Sequence, residues 1–157
     1  MIRKFLVNTA WLVLMIAVSG LVYIRMAPDD LGGIHNIPSN TAVPGKQENY
    51  PNGIIISERV MAPPQDLLQE FHKIITNTPR TKVLVGSVEE GMISYVTRSK
   101  VFGFPDYTTL RVTPEKNHSR LTVYSRSRYG ISDFKVNSRR LYRWMKTLGV
   151  KYPEHTF

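Results

Sequence analysis

The sequence has 157 residues, of which 42% are hydrophobic and 21% are charged, a composition typical of folded globular proteins. This length accommodates one ordinary domain of about 100–150 residues and an appendage, which excludes a TIM barrel or a two-domain enzyme. The chain contains no cysteine, so disulfide bonds, zinc–thiolate sites, iron–sulfur clusters and thiol nucleophiles are excluded.

The first segment of the chain is apolar enough to cross a membrane. Residues 5–24 carry no charge, and as a helix at about 1.5 Å per residue they match the bilayer hydrocarbon. Arg3 and Lys4 precede this segment, whereas Arg25 is soon followed by two aspartates. The positive-inside rule therefore predicts an anchor over residues 1–25, in a single-pass inner-membrane protein with a periplasmic C-terminal domain. The alternatives are a signal peptide cleaved after Ala17-Val18-Ser19 and a buried core helix.

Two further regions follow the anchor. Residues 26–53 are rich in Pro, Gly, Asn and Asp and lack a sustained period, which predicts an extended linker. Residues 54–157 are predicted to form a basic α+β domain. It begins with a short strand at 54–56, and an amphipathic helix over 67–75 ends before Pro79.

The rest of the predicted domain is a series of strands and one helix. Four short β-rich runs separated by turn residues lie at 82–88, 92–99, 107–113 and 120–127. Their spacing predicts an antiparallel meander. Asn137 can cap a last helix that Gly149 ends. The predicted fold is therefore α+β: an antiparallel sheet of about five strands with two amphipathic helices on one face, preceded by a transmembrane helix.

The net charge of +9 is concentrated in the last third of the chain. Residues 1–25 contribute +3, residues 26–110 contribute −2 and residues 111–157 contribute +8. In the last predicted strand, alternation places Tyr124 on the same face as Arg126 and Arg128. One sheet face is thus predicted to carry arginine and tyrosine side chains.

This charge indicates either a solvated basic face or an anion site. Arginine favours the second, because its planar guanidinium matches carboxylate and phosphate oxygens. The free N–H groups at the start of the last helix favour an anion as well. The residues predicted to bind a ligand are Arg126, Ser127, Arg128, Ser132, Asp133, Asn137, Arg139 and Arg140. An alternative for Asp133 is an ion pair with Arg126 or Arg128, and for Asn137 a helix cap alone.

The segment 125–140, preceded by Phe104-Pro105-Asp106, resembles the C-terminal motif of a family catalogued only as a domain of unknown function. The family pattern is Ser-x-Ser-Arg-x-Gly-x-Ser-Asp-x-Gly-x-Asn and then Arg, and the resemblance covers roughly residues 54–150. This chain has Lys135 where the family usually has Gly. Many bacterial members carry one N-terminal membrane segment, so the resemblance implies an anchor but no established activity.

No catalytic constellation is recognisable in the sequence. The histidines lack ligand spacing, and Walker A, GxGxxG and nucleophile-elbow motifs are absent. We therefore expect no metal and no cofactor, and favour a non-enzymatic, membrane-anchored envelope domain that binds an anionic lipid or an acidic protein. The alternatives are a small hydrolase or transferase on a phosphorylated envelope substrate, with Ser127 or Ser132 near Asp133, and a scaffold subunit of a membrane assembly. Nucleic-acid binding is disfavoured because an RNP-type motif is absent.

Overall fold

The computed structural model describes residues 1–38 and 43–151. Residues 39–42 of the predicted linker and residues 152–157 of the predicted domain lie outside the described residues. The helices are α1 (Ile2–Met26), α2 (Leu31–Ile34), α3 (Pro64–Thr76) and α4 (Val136–Lys151). The strands are β1 (Lys46–Tyr50), β2 (Gly53–Val60), β3 (Thr81–Ser87), β4 (Met92–Arg98), β5 (Pro105–Pro114) and β6 (Ser119–Ser127).

The six strands form one antiparallel sheet in the order β1-β2-β6-β5-β4-β3. The predicted α+β class and the meander from β3 to β6 are confirmed. Strand β1 was missed, because an edge strand with the sequence KQENY carries almost no apolar signal. Residues 26–53, predicted as an extended linker, therefore contain β1 as well as the short helix α2.

The hydrophobic core lies between one face of the sheet and helices α3 and α4. Helix α3 contributes Leu67, Leu68, Phe71 and Ile75, each at most 1% exposed. Both helices belong to one buried cluster with the inward-facing strand residues, so the predicted placement of two helices on one face is confirmed. Helix α4 does not end at Gly149 as predicted, because a glycine in ordinary helical geometry costs only about 1 kcal/mol relative to alanine.

The chain that leaves α1 covers part of the opposite face of the sheet. We call residues 27–37 the strap. Ile34 and Ile37 of the strap are buried, and Ile34 packs against Val96 and Tyr107. Thr109 Oγ1 donates a 2.7 Å hydrogen bond to the Ile34 carbonyl. The strap therefore attaches the end of α1 directly to the sheet.

Helix α1 is the candidate membrane span among the described residues. It has 25 residues and a mean hydropathy of 2.1, and none of its most apolar window is buried in the protein. A signal sequence near the N-terminus meets the same criteria. Helix α1 is therefore long and apolar enough to cross a bilayer, as the sequence predicts.

Candidate functional site

Arg126, one of the predicted ligand-binding residues, binds the strap. Its Nη2 atom donates to the carbonyl oxygens of Gly33 at 3.1 Å and Ile34 at 2.8 Å. The guanidinium carbon lies 4.1 Å from the centroid of the Tyr124 ring, within the range of a cation–π contact. Burial lowers the pKa of Arg126, yet the group keeps its charge because arginine starts so far above neutral pH.

Arg128 binds the strap next to the end of α1. Its Nη1 atom donates to Ala27 O at 3.2 Å and Asp29 Oδ1 at 3.0 Å, and its Nη2 atom donates to Pro28 O at 2.8 Å. Asp29 also accepts a 2.5 Å hydrogen bond from the Tyr107 hydroxyl. Burial, followed by the hydrogen bond to Asp29, raises the pKa of Tyr107 to about 12. Asp29 is therefore an anion supplied to Arg128 by the protein itself.

A buried polar network lies on the other side of β6. Arg140 Nη2 donates to Asp106 Oδ2 at 2.8 Å, and Ser127 Oγ donates to Asp106 Oδ1 at 2.6 Å. Asn137 Oδ1 accepts from Arg140 at 3.1 Å and from Ser125 at 2.9 Å, while its Nδ2 donates to Ser127. The network fixes the Arg140 guanidinium at the junction of β5, β6 and α4.

Asp133, not Asn137, supplies the side chain that caps α4. Its Oδ2 atom accepts from the backbone N–H of Asn137 at 2.9 Å, and its Oδ1 atom accepts from that of Lys135 at 2.9 Å. The cap predicted at Asn137 is therefore wrong: this residue lies inside α4 and is fully buried. Neither predicted ion pair of Asp133 with Arg126 or Arg128 is present among the described contacts.

The loop between β6 and α4 has an unusual backbone. Phe134 and Lys135 both have positive φ angles, 49° and 62°. Residues other than glycine, asparagine and aspartate rarely adopt this left-handed region. Lys135 therefore takes the left-handed conformation that the glycine of the family pattern would take without strain. Arg139 Nη2 donates to the Phe134 carbonyl at 3.0 Å and thereby closes the loop.

The predicted site residues do not converge on one point. Alternation along β6 places Arg126 and Arg128 on the strap face and Ser127 on the helix face. Three predicted residues share the buried network: Ser127, Asn137 and Arg140. The other three, which shape the loop before α4 or its first turn, are Ser132, Asp133 and Arg139. Their role in ligand binding stays a prediction.

Several basic side chains, most of them outside the predicted site, line one cleft of the domain. We call it the basic cleft. It has a volume of about 710 Å³ and lies between the end of α3, the start of β3, the end of β4 and helix α4. Among the described residues that line it, the basic ones are Arg80, Arg98, Lys100, Arg140 and Arg143, and the acidic one is Asp106. Five cations and one carboxylate give a formal charge of +4.

Several cations of the basic cleft keep donors available. Arg98 uses Nη1 for the Gly103 carbonyl at 3.1 Å, and Arg80 uses Nε for the Arg98 carbonyl at 3.1 Å. Lys100 and Arg143 are exposed. The predicted site does not include Arg80, Arg98 and Lys100, because they lie far in sequence from the basic C-terminal third. The β3–β4 hairpin brings these residues together, so the predicted pairing of these two strands was the sequence signal that could have located the cleft.

A smaller pocket of about 320 Å³ lies beside the basic cleft, between the β4–β5 and β6–α4 loops. Phe104, Tyr129, Phe134 and Val136 supply its apolar lining. The Tyr129 hydroxyl is buried and has no hydrogen-bond partner among the described residues. The two loops meet here, with the rings of Phe104 and Tyr129 6.4 Å apart between centroids.

Neither predicted serine, Ser127 or Ser132, contacts a histidine among the described residues. Ser94 Oγ lies 2.9 Å from His35 Nδ1, but Ser94 is fully buried. Ser127 Oγ is held by Asp106 and Asn137, and Ser132 Oγ accepts from the backbone N–H of Phe134. Over residues 1–38 and 43–151, no three His, Cys, Asp or Glu side chains are grouped as metal ligands. The chemistry that the geometry does offer is the recognition of an anion by arginine.

Comparisons with known proteins identify the family. The chain belongs to the family described as "protein of unknown function (DUF1499)", which matches residues 35–148. No curated protein matches the sequence. The crystal structure of protein CV1439 from Chromobacterium violaceum is similar, with 15% sequence identity and a TM-score of 0.50, over 65% of this chain and 98% of that chain.

A second solved structure is also similar. The crystal structure of protein MLL2253 from Mesorhizobium loti has 12% sequence identity and a TM-score of 0.45, over 63% of this chain and 97% of that chain. At identities this low, the likeness to CV1439 shows a shared fold and nothing about activity.

Proposed function

We propose that this DUF1499 protein is a membrane-anchored, non-enzymatic domain that binds an anionic ligand in the basic cleft. The observation that carries the proposal is the excess of five cations over one carboxylate in a single cleft. The one carboxylate, Asp106, already pairs with Arg140. The remaining cations repel one another, and an anion relieves that repulsion when it binds.

The cleft offers donors suited to phosphate or carboxylate oxygens. Arg143 lies in α4, Arg80 directly precedes β3, and both line the cleft. Two guanidinium groups in one cleft can each donate two hydrogen bonds to an anion. Thr78 and Trp144 line the same space. The ligand class supported best is a phosphate-bearing molecule.

The C-terminal motif supports this site more through structure than through direct contact. Arg140 lies at the base of the cleft, where Asp106 and Asn137 orient its guanidinium. Arg126 and Arg128 lie on the other face of the sheet, where they bind the strap. We therefore propose Arg140 as the motif residue nearest to the ligand.

Anion binding can be tested by titration calorimetry of the full-length protein in detergent, with inorganic phosphate and a short-chain phosphatidylglycerol as probes. The test variant is Arg80→Ala with Arg143→Ala. The control is Lys146→Ala, which removes a cation from the same helix outside the cleft lining. A charge-assisted hydrogen bond contributes about 1.5–3 kcal/mol, so each lost arginine should weaken binding at least about tenfold. Equal affinities in the test and control variants would refute the site.

We further propose that α1 stays as an inner-membrane anchor and that the domain faces the periplasm. Arg3 and Lys4 before the span support this orientation. The test is a pair of fusions at Phe157, one to alkaline phosphatase and one to a fluorescent protein that folds only in the cytoplasm. Phosphatase activity without fluorescence is expected. Fluorescence without phosphatase activity would reverse the orientation.

A further inference from the structure

Two loops of the domain expose large apolar side chains to solvent. In the β4–β5 loop, Val101 is 69% exposed and Phe102 is 50% exposed. In the β6–α4 loop, Ile131 is 89% exposed and Phe134 is 82% exposed. Single exposed apolar residues are common on protein surfaces, but four of them on two adjoining loops mark an interaction surface.

Both loops lie where the candidate membrane helix ends. Arg25, in the last turn of α1, donates from Nη2 to the Val101 carbonyl at 3.3 Å. Arg128, at the start of the β6–α4 loop, donates to Ala27 O, one residue past α1, at 3.2 Å. The apolar side chains are therefore next to the point where the apolar segment of the chain ends.

The position of Phe134 is maintained against a backbone cost. Its φ of 49° and the 62° of Lys135 place two consecutive side chains in the left-handed region. Such strain concentrates at functional sites, where the surrounding structure enforces it. The strained turn leaves the Phe134 ring 82% exposed, with only a small part of it lining the smaller pocket.

We propose that these two loops dock on the bilayer surface, with Phe102 and Phe134 inserted at the level of the lipid headgroups. This inference rests on the proposed anchor, because it requires α1 to be in the membrane. Lys100 lies two residues before Phe102 and Lys135 directly follows Phe134, so each loop carries a lysine close in sequence to its aromatic residue. Aromatic rings with flanking lysines suit an interface, since the ring enters the acyl boundary while the ammonium group reaches anionic headgroups.

Docking also determines what reaches the basic cleft. Lys100 lines the cleft and lies in the β4–β5 loop, and Val136 lines both the cleft and the smaller pocket between the loops. When the loops lie on the bilayer, this end of the cleft is at the headgroups. The anionic ligand of the cleft is then the headgroup of an anionic phospholipid.

The absence of cysteine in the native chain makes the docking directly measurable. The variants Phe102→Cys, Phe134→Cys and Met61→Cys, each labelled with an environment-sensitive fluorophore, are reconstituted at full length in phosphatidylglycerol and phosphatidylcholine liposomes. Met61 is the matched control because it is also an exposed apolar residue, 66% exposed. It follows the C-terminal end of β2, at the end of the sheet opposite to the two loops. Eight residues of strand separate the two ends of the sheet by about 25 Å.

Quenching by lipids with a spin label near the headgroup, compared with quenching by aqueous iodide, reads the depth of each label. At positions 102 and 134 we expect several-fold stronger lipid quenching and weaker iodide quenching than at 61. Equal quenching at all three positions would overturn the proposal. Protection at 102 and 134 from both quenchers would overturn it in favour of a protein contact, such as a second copy of this chain.

Two further measurements separate this proposal from the proposed function. Failure of the labelled protein to float with liposomes would overturn both the anchor and the docking. The pair Phe102→Ser with Phe134→Ser is expected to keep wild-type phosphate affinity in detergent, because neither side chain lines the basic cleft. A single label placed at position 131 of that double variant, in place of Ile131, reports whether the β6–α4 loop still docks. Its quenching by spin-labelled lipid should fall. Unchanged quenching there would count against the phenyl rings as the inserted groups.

Discussion

Asp106→Ala should destabilise the protein more than any single substitution in the β6–α4 loop. Asp106 accepts hydrogen bonds from Arg140 and Ser127, and the paired side chains of Asp106 and Arg140 are only 10% and 9% exposed. Removing the carboxylate leaves a buried guanidinium without its counter-charge. Breaking a buried ion pair from one side typically costs about 3–5 kcal/mol.

The geometry favours the lower end of that range. Arg140 borders the basic cleft and keeps a 3.1 Å hydrogen bond to Asn137, so water and one neutral acceptor still reach it after the change. We therefore expect a loss of about 3 kcal/mol, a large fraction of the 5–15 kcal/mol typical of a folded domain. For a urea dependence of about 1–1.5 kcal/mol per molar, the denaturation midpoint should fall by roughly 2–3 M.

The assay is urea denaturation of the full-length protein in detergent, followed through the fluorescence of Trp144, which is only 5% exposed. The control is Arg140→Met combined with Asp106→Ala, because removing both charges eliminates the unpaired ion. Most of the lost stability should return in the double variant. A midpoint shift below about 0.5 M for Asp106→Ala, or a double variant as unstable as the sum of the single ones, would refute the reasoning.

Three further outcomes are expected. Lys135→Gly should raise the free energy of unfolding by about 0.5–1 kcal/mol, because glycine relieves the left-handed strain at a smaller entropic cost; an unchanged urea midpoint would contradict this. Asp29→Ala should speed protease cleavage within the strap several-fold, because Arg128 loses an acceptor; an unchanged digestion pattern would argue against that contact. Burial alone would raise the pKa of Glu115, but hydrogen bonds from Arg120, Arg59 and His118 lower it from 4.5 to about 2. The stability contributed by this ionised carboxylate should fall as the pH drops from 4.5 towards 2, and Glu115→Gln should lose less stability than the wild type in thermal melts over that range.

Local signals in the sequence were sufficient for most of the fold. Helix α3 has an apolar stripe at helical spacing, and β3 to β6 alternate between short turns, so each element could be predicted from its own residues. Strand β1 could not, because it is an edge strand whose polar side chains face solvent and which pairs, among the described strands, with β2 alone. Its pairing depends on residues outside the element.

The candidate site was harder to predict, because the sequence position of a charged residue does not show which residues its side chain contacts. Arg126 and Arg128 appeared as an exposed pair in the sequence, but their acceptors are carbonyl and carboxylate oxygens about a hundred residues earlier in the chain. Arg80 and Arg98 lie in a segment of slightly negative net charge, which does not indicate a basic site. The β3–β4 hairpin nevertheless brings them to one cleft wall. Long-range contacts of this kind leave no periodic signal in the sequence.

The strap changes how the position of the domain is understood. A free linker over residues 26–53 could hold the domain as far as about 90 Å from the membrane. Instead, Arg126 and Arg128 hold the first residues after α1 against the sheet, and Arg25 contacts the β4–β5 loop. If α1 spans a bilayer, the end of the sheet whose loops carry Phe102 and Phe134 is at its surface. Arg126 and Arg128 then account for the placement of the domain, and the cations of the basic cleft remain for the proposed ligand.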